Sequence, residues 1–282
     1  MLRHDLPMTE YLAAPGVSAS TLKAMQRSPA FAHLAPKRTS DALEWGTAVH
    51  AAILEPHTLE SLYGLDPTDE EGGYRPGWRN TKQYKTAREN EYAVNPGIIG
   101  LLTHDQWEAL GTIRLNVARN DIGRQLHDLP GHRESSLFVT DAEGVARKCR
   151  PDWLIPSARM IVDVKTAKDW RPRAFARSAH GYGYHMSAAY YVDTFGIDEE
   201  APFIEHYVFL VVASDAPYEV EAYTLDSDSL EQGRHDYRRA LNQWRACKAS
   251  GAWPGGSGKI QEIRLPEYGI NYYRDDEEIE QW

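Results

Sequence analysis

Arg150-Pro151-Asp152-Trp153-Leu154-Ile155, followed after a short polar break by Met160-Ile161-Val162-Asp163-Val164-Lys165-Thr166, is the stretch whose reading decides the fold. In the second segment Ile161, Asp163 and Lys165 alternate with Met160, Val162 and Val164, so a strand puts Asp163 and Lys165 on one face. Pro156-Ser157 reads as the turn of a hairpin, which brings Asp152 near Asp163. Two carboxylates and an ammonium then converge on one point. Hard carboxylate oxygens suit Mg²⁺ or Mn²⁺, and a neighbouring lysine suits a water nucleophile or a phosphate. An Asp-Val-Lys triplet on a strand is also what an ordinary solvated face looks like. The apolar residues around it argue otherwise, because charge inside an apolar strand is costly unless it is paired or bound to metal.

Working outward, Glu134 to Thr140 and Val145 to Ile155 read as two strands joined by the turn Asp141-Ala142-Glu143-Gly144, with Met160 to Thr166 as the next. Glu134 is either a third acid for the site or a strand-end residue facing water. Ile204 to Ala213 reads as a buried strand, and Tyr218 to Leu225 as its edge partner. Helices are expected from Ser20, from Ser28-Pro29, and from Asp41, where Leu43, Gly46, Val49, His50 and Ile53 share a broad face. Thr103 to Leu126 reads as one helix with Trp107 in the core. Pro172 to Ser178, Tyr184 to Thr194 and a long segment from Asp226 or Ser227 to Ser250, stopped by Gly251, complete the helical set.

Residues 57–100 are loop-rich around a short helix near Lys82 to Tyr92. Gly255-Gly256-Ser257-Gly258-Lys259-Ile260 is no phosphate loop, because Trp253 and Ile260 stand where glycine and Ser or Thr are required. Residues 1–265 are expected to form a single domain, with 266–282 an acidic tail.

At 282 residues and 42% hydrophobic content the chain can bury a sizeable core. No apolar run is long enough to span a bilayer, and the N-terminus does not begin a signal peptide, so no membrane partner and a cytoplasmic location are expected. Cys149 and Cys247 are the only cysteines and are distant in sequence, so neither a disulfide framework nor a cysteine-ligated zinc site is indicated, and a four-cysteine iron–sulfur cluster is excluded. A net charge of −10 is awkward for a nucleic-acid enzyme, so the distribution of charge decides more than the total. Arg75, Arg79, Lys82 and Lys85 lie in an aromatic stretch without acids, and Arg171, Arg173 and Arg177 follow the Asp163 strand. Two basic stretches flanking a carboxylate site fit DNA entering a local positive channel, and they also fit ordinary solvated loops and helices.

The pattern Pro151-Asp152, spacer, Asp163-Val164-Lys165 resembles the core of the PD-(D/E)XK nucleases. The flanks Lys148-Cys149-Arg150 and Thr166-Ala167 are similar to the exonuclease domain of RecE, exonuclease VIII, of phages and prophages. Val17 to Leu22, Arg27-Ser28-Pro29-Ala30, Gly46-Thr47-Ala48-Val49-His50 with Leu54-Glu55-Pro56, and Tyr184 to Tyr191 extend the resemblance over about residues 11–265. It implies an α/β fold, a mixed β-sheet flanked by helices, and a Mg²⁺-dependent exonuclease resecting linear double-stranded DNA 5′-to-3′. The 3′ tails would pass to a single-strand annealing protein, and the enzyme would be a ring-shaped homo-oligomer in a bacterial host cell. His50, on its residues alone more often a hydrogen-bonded core histidine, becomes with Asp152, Asp163 and the Val164 carbonyl a metal ligand. Lys165 acts on water and phosphate, and Glu134 helps to hold a second ion. Ser187 departs from the pattern, since relatives commonly carry glutamine there.

Overall fold

A computed structural model of the protein describes residues 1–35 and 40–265; the acidic stretch 266–282 lies outside the described residues. Its strands are β1 (Leu2–Arg3), β2 (Tyr63–Leu65), β3 (Gly100–Leu102), β4 (His132–Arg133), β5 (Ser136–Thr140), β6 (Ala146–Cys149), β7 (Trp153–Ile155), β8 (Met160–Ala167), β9 (His206–Ala213) and β10 (Val220–Thr224). The helices are α1 (Met8–Ala13), α2 (Ala19–Met25), α3 (Pro29–Leu34), α4 (Asp41–Leu54), α5 (Leu59–Leu62), α6 (Lys82–Val94), α7 (His104–Arg119), α8 (Asp121–Asp128), α9 (Pro172–Gly181), α10 (Tyr184–Phe195) and α11 (Ser227–Ser250).

The organising element is a five-stranded mixed sheet in the order β10-β9-β8-β7-β4. β8 and β9 run parallel, with Asp163 opposite Phe209, while β7–β8, β4–β7 and β9–β10 are antiparallel. The parallel pair needs a crossover, which α9 and α10 supply. Strand alternation separates two cores. Ile161, Phe209 and Val211 face Met186, Ala189 and Tyr190 of α10, with Leu22 and Met25 of α2 packed alongside. Val162, Val164, Leu210 and Val212 face Ala48, Val49 and Ala52 of α4, together with Leu110 and Ile113 of α7. A fully buried side chain of this size contributes roughly 1.5–3 kcal/mol, so these two layers dominate the fold's stability. α11 closes the outside at very short range: a Cβ on Gly233 would stand 2.3 Å from the His185 carbonyl oxygen, and only glycine fits.

Several elements differ from their sequence reading. The expected Glu134–Thr140 strand is shortened to β5, because Glu134 takes φ 50° where the chain leaves β4 in the five-stranded sheet and enters a second sheet, order β1-β5-β6. Val145–Ile155 is two strands, β6 and β7, one in each sheet. Pro151, which has no N–H to give a ladder, marks that break. The expected long helix after Thr103 is two helices, because the Asn120 side chain accepts the N–H groups of Ile122 and Gly123 and starts α8. The caps of α2 and α4 are Ser18 and Ser40 rather than Ser20 and Asp41. On α4 the buried residues are Ala48, Val49, Ala52 and Leu54, while Leu43 is exposed. The 57–100 segment also holds α5 and a small parallel sheet of β2 and β3. No helix among the described residues is long and apolar enough to cross a membrane.

Candidate active site

The site lies where β7 stops and β8 continues. β7 pairs with β8 only as far as Trp153 opposite Val162, and just beyond, the Val164 N–H donates to Asp152 Oδ2 at 2.8 Å. The Asp152 carboxylate therefore accepts a β8 backbone N–H that a backbone carbonyl of a longer β7 would have taken. Glu134 is brought to the same place by the parallel change of sheet, since its N–H donates to the Asp152 carbonyl at 3.0 Å. From the opposite layer α4 contributes His50, whose Nδ1 is 3.4 Å from Asp152 Oδ2. Ligand atoms of His50, Glu134 and Asp152 all lie within 4.8 Å of one another.

Asp163 and Lys165 sit beside this triad on the α10 face of β8. Lys165 Nζ donates to Asp163 Oδ1 and, at 3.1 Å, to the Val164 carbonyl, while the Tyr207 hydroxyl donates to Asp163 Oδ2 at 3.0 Å. The expected metal ligands thus fall into two groups. His50 and Asp152 are joined by Glu134, while Asp163 and the Val164 carbonyl are engaged by Lys165. Tyr207 had escaped the sequence reading, as a lone tyrosine in the apolar run of β9 carries no sign of the carboxylate it meets across the sheet. Glu134 is itself oriented by Arg150, whose Nε donates to Oε2 at 2.8 Å while Nη1 reaches the Leu6 carbonyl and Ser136 Oγ.

A family model described as a PDDEXK-like domain of unknown function (DUF3799) matches residues 18–266. The chain belongs to that family. No curated protein sequence matches the chain. Among solved structures it is similar to a provisionally assigned exonuclease from Eubacterium rectale, with a TM-score of 0.60 at 12% identity, covering 95% of this chain and 98% of that one. A second, SSO0001, aligns over 78% of this chain and 84% of its own at 12% identity, with a TM-score of only 0.28. The first of these likenesses agrees with the PDDEXK-like fold, a mixed sheet flanked by helices.

The electrostatics of the PDDEXK-like site fit a divalent cation. Burial, then the Asp163 carboxylate, pushes the Asp152 carboxyl well above the usual range. At Asp163 burial pushes the same way, but Lys165 and the bonds from its neighbours outweigh it and hold the group below its ordinary value. Burial lowers Lys165, and Asp163 with Asp152 more than restore it, so the ammonium stays charged. Burial and then Lys165 bring His50 down to about 4, so at neutral pH its imidazole is uncharged and can offer a lone pair. Burial raises Glu134, against the pull of Arg150. Three carboxylates and one neutral imidazole form a donor set, and the mutual repulsion of the carboxylates, which the Lys165 ammonium offsets in part, is what a divalent ion would relieve.

The basic residues occupy two surfaces. Arg75, Arg79, Lys82 and Lys85 are exposed on the 57–100 segment, which meets the N-terminal half of α4 around a cavity of about 200 Å³ lined by Trp45, Asp66, Arg79 and Tyr84. Arg79 also has a structural task, donating to buried Asp66 at 2.8 Å, which accepts from the Tyr84 hydroxyl as well. Arg171, Arg173 and Arg177 are exposed beyond the end of β8, and Arg171 is held by Asp169 through two bonds. Ser187 is buried, and its hydroxyl donates back to the Gly183 carbonyl at 3.4 Å.

Proposed function

We propose that this chain is a divalent-metal-dependent exodeoxyribonuclease of the RecE type, resecting one strand of linear duplex DNA 5′-to-3′. The observation that carries the reading is the convergence of His50, Glu134 and Asp152 beside the Asp163–Lys165 pair. His50, Glu134, Asp152 and Asp163 would hold Mg²⁺, or Mn²⁺ in its place. Such an ion supplies Lewis acidity toward a phosphate oxygen and lowers the pKa of water. Lys165 orients the attacking water and places positive charge where the phosphorus centre gathers negative charge. Arg150 fixes the Glu134 carboxylate, and Tyr207 fixes that of Asp163.

The wider role follows the resemblance to RecE. The 3′ tails pass to a single-strand annealing protein for recombination, the subunits close into a ring, and the protein works in the cytoplasm of a bacterium carrying the phage or prophage. An acidic body holds duplex weakly by charge alone, so enclosure of the strand would sustain digestion. The deciding experiment is digestion of end-labelled linear duplex in Mg²⁺ with a covalently closed control, together with mass by light scattering. Linear DNA should shorten from its 5′ ends while closed circles persist. Rapid cutting of closed circles would make the protein an endonuclease, and no cutting of either would make it a binding or assembly protein.

The basic face of α6 gives a separate expected result. Lys82 and Lys85, one helical turn apart and both exposed, would each neutralise a phosphate. The double variant Lys82→Ala with Lys85→Ala should flatten the log–log salt dependence of DNA binding by about two units, at roughly 0.9 per contact. An unchanged slope in a fluorescence-anisotropy titration would remove α6 from the channel.

A further inference from the structure

Lys165 is not the only ammonium at the site. Lys23, on α2, sends its stem across the start of α10: a Cβ on Gly183 would come within 3.0 Å of Lys23 Cδ and 3.1 Å of its Cγ. Gly183 also stands at φ +67°, so glycine is what leaves that path open. Lys23 Nζ ends 5.8 Å from the centroid of the Tyr184 ring, the ring that Lys165 Nζ meets at 5.2 Å. The two ammoniums differ in one respect. Lys165 is engaged by Asp163 and the Val164 carbonyl, whereas among the described residues Lys23 Nζ makes no hydrogen bond and no ion pair, and feels the Asp163 carboxylate only at longer range. Ser187, one turn further along α10, donates to the carbonyl of Gly183, the N-cap of its own helix.

We propose that Lys23 is a phosphate contact of this site, closing its ammonium on a non-bridging oxygen of the DNA strand that the metal centre engages. Holding a shielded cation beside a second cation and leaving it without an ion pair is unfavourable in the free protein. Burial and the Lys165 ammonium both disfavour its charge, and only Asp163 favours it. A polyanion entering between Lys23 and Lys165 relieves that arrangement, and the relief is largest where negative charge accumulates. Aromatic packing on Tyr184 keeps the head group beside Lys165 rather than out in solvent.

The inference rests on the nuclease reading, and its test is arranged so that the two can fail separately. Lys23→Met and Lys23→Arg, made in the full chain, are compared with wild type by cleavage kinetics in Mg²⁺ and by duplex binding against salt in EDTA. The thermal midpoint and its response to Mg²⁺ are measured alongside. For Lys23→Met we expect kcat/KM down about tenfold or more, a salt slope shallower by about one unit, and an unchanged Mg²⁺ response. Lys23→Arg should recover most of both losses. A Lys23→Met protein with wild-type slope and wild-type kcat/KM overturns the inference even if wild type is an active nuclease. A wild type that cleaves nothing yet loses slope in Lys23→Met overturns the nuclease reading and leaves the phosphate contact standing. Should Lys23→Met melt early, Lys23→Arg decides, since it keeps both stem and charge: a slope as shallow as that of Lys23→Met would overturn the contact, and a wild-type slope supports it.

Discussion

Asp152→Asn is expected to lower cleavage by at least about a hundredfold and, in metal-free buffer, to make the protein more stable. The two effects have one cause. Asp152 is a carboxylate 15% exposed, set against Asp163 and close to His50 and Glu134. If Asp152 holds the proposed ion, removing its charge removes an anionic ligand, and an ion that supplies several kcal/mol to the transition state is then poorly held. Without an ion the same charge is a liability. Its folded pKa is raised, so the folded form retains a proton that the unfolded chain releases, and stability falls as pH rises from the unfolded value toward the folded one. At neutral pH wild type carries the part of that penalty that has accrued above the unfolded value. Asparagine keeps an oxygen for the Val164 N–H and can offer an amide hydrogen to Asp163. A gain on the order of 1–2 kcal/mol corresponds to roughly 2–8 °C for a chain of this size. Calorimetry in EDTA at neutral pH should show the gain, and below about pH 4 it should vanish because both side chains are then neutral. A variant less stable than wild type in EDTA would contradict the electrostatic account. Wild-type cleavage would contradict the site.

Lys165→Met should move stability the other way. The lysine is the cation that keeps Asp163 ionised beside Asp152, and methionine leaves two adjacent carboxylates without it. Removing one partner of a buried ion pair costs about 3–5 kcal/mol, so metal-free Lys165→Met should melt well below wild type. The sign follows from Asp163, whose folded pKa is lowered. Its contribution is present above the unfolded value and is lost as pH falls through the folded one, so the gap between the two proteins closes in acid. Mg²⁺ or Ca²⁺ should restore part of the stability by supplying positive charge to the same carboxylates. Cleavage should stay down by about a hundredfold to a thousandfold, because neither water nor phosphate has regained its ammonium. Thermal melts with and without Ca²⁺, run beside a cleavage assay, check both parts. Full cleavage in the metal-loaded variant would remove Lys165 from the chemistry.

Much of this arrangement is legible in the chain because β8 announces itself. The alternation from Met160 to Thr166 places Asp163 and Lys165 on one face, and the structure has them on one face, bonded to each other. The long final helix, with Asp226 at one end and left-handed Gly251 at the other, follows from local capping chemistry. What local chemistry misses is competition between neighbours. Ser18 and Ser40, rather than Ser20 and Asp41, accept the Thr21 and Leu43 N–H groups, since any short oxygen-bearing side chain near a helix start can serve as cap. The division of Val145–Ile155 was missed for a different reason. Alternation predicts a strand without saying which sheet it joins, and only Pro151 hinted that Val145–Ile155 changes allegiance. Lys23 and Tyr207 were invisible because both act across elements distant in sequence, one over the start of α10 and the other across the parallel ladder.

That parallel ladder has a kinetic consequence. β8 cannot meet β9 until the chain has run out through α9 and α10 and returned, and His50 must then dock from a helix more than eighty residues upstream of Asp152 in a chain of 282. Such non-local pairings are slow to form, because loop-closure entropy is lost before any contact is gained. The His50, Glu134 and Asp152 cluster is therefore expected among the last features to assemble, and no hairpin or excised fragment would reproduce it. Tight divalent binding by this protein would report that its topology is complete, and in a refolding reaction it should appear with the final phase, after the helices have formed.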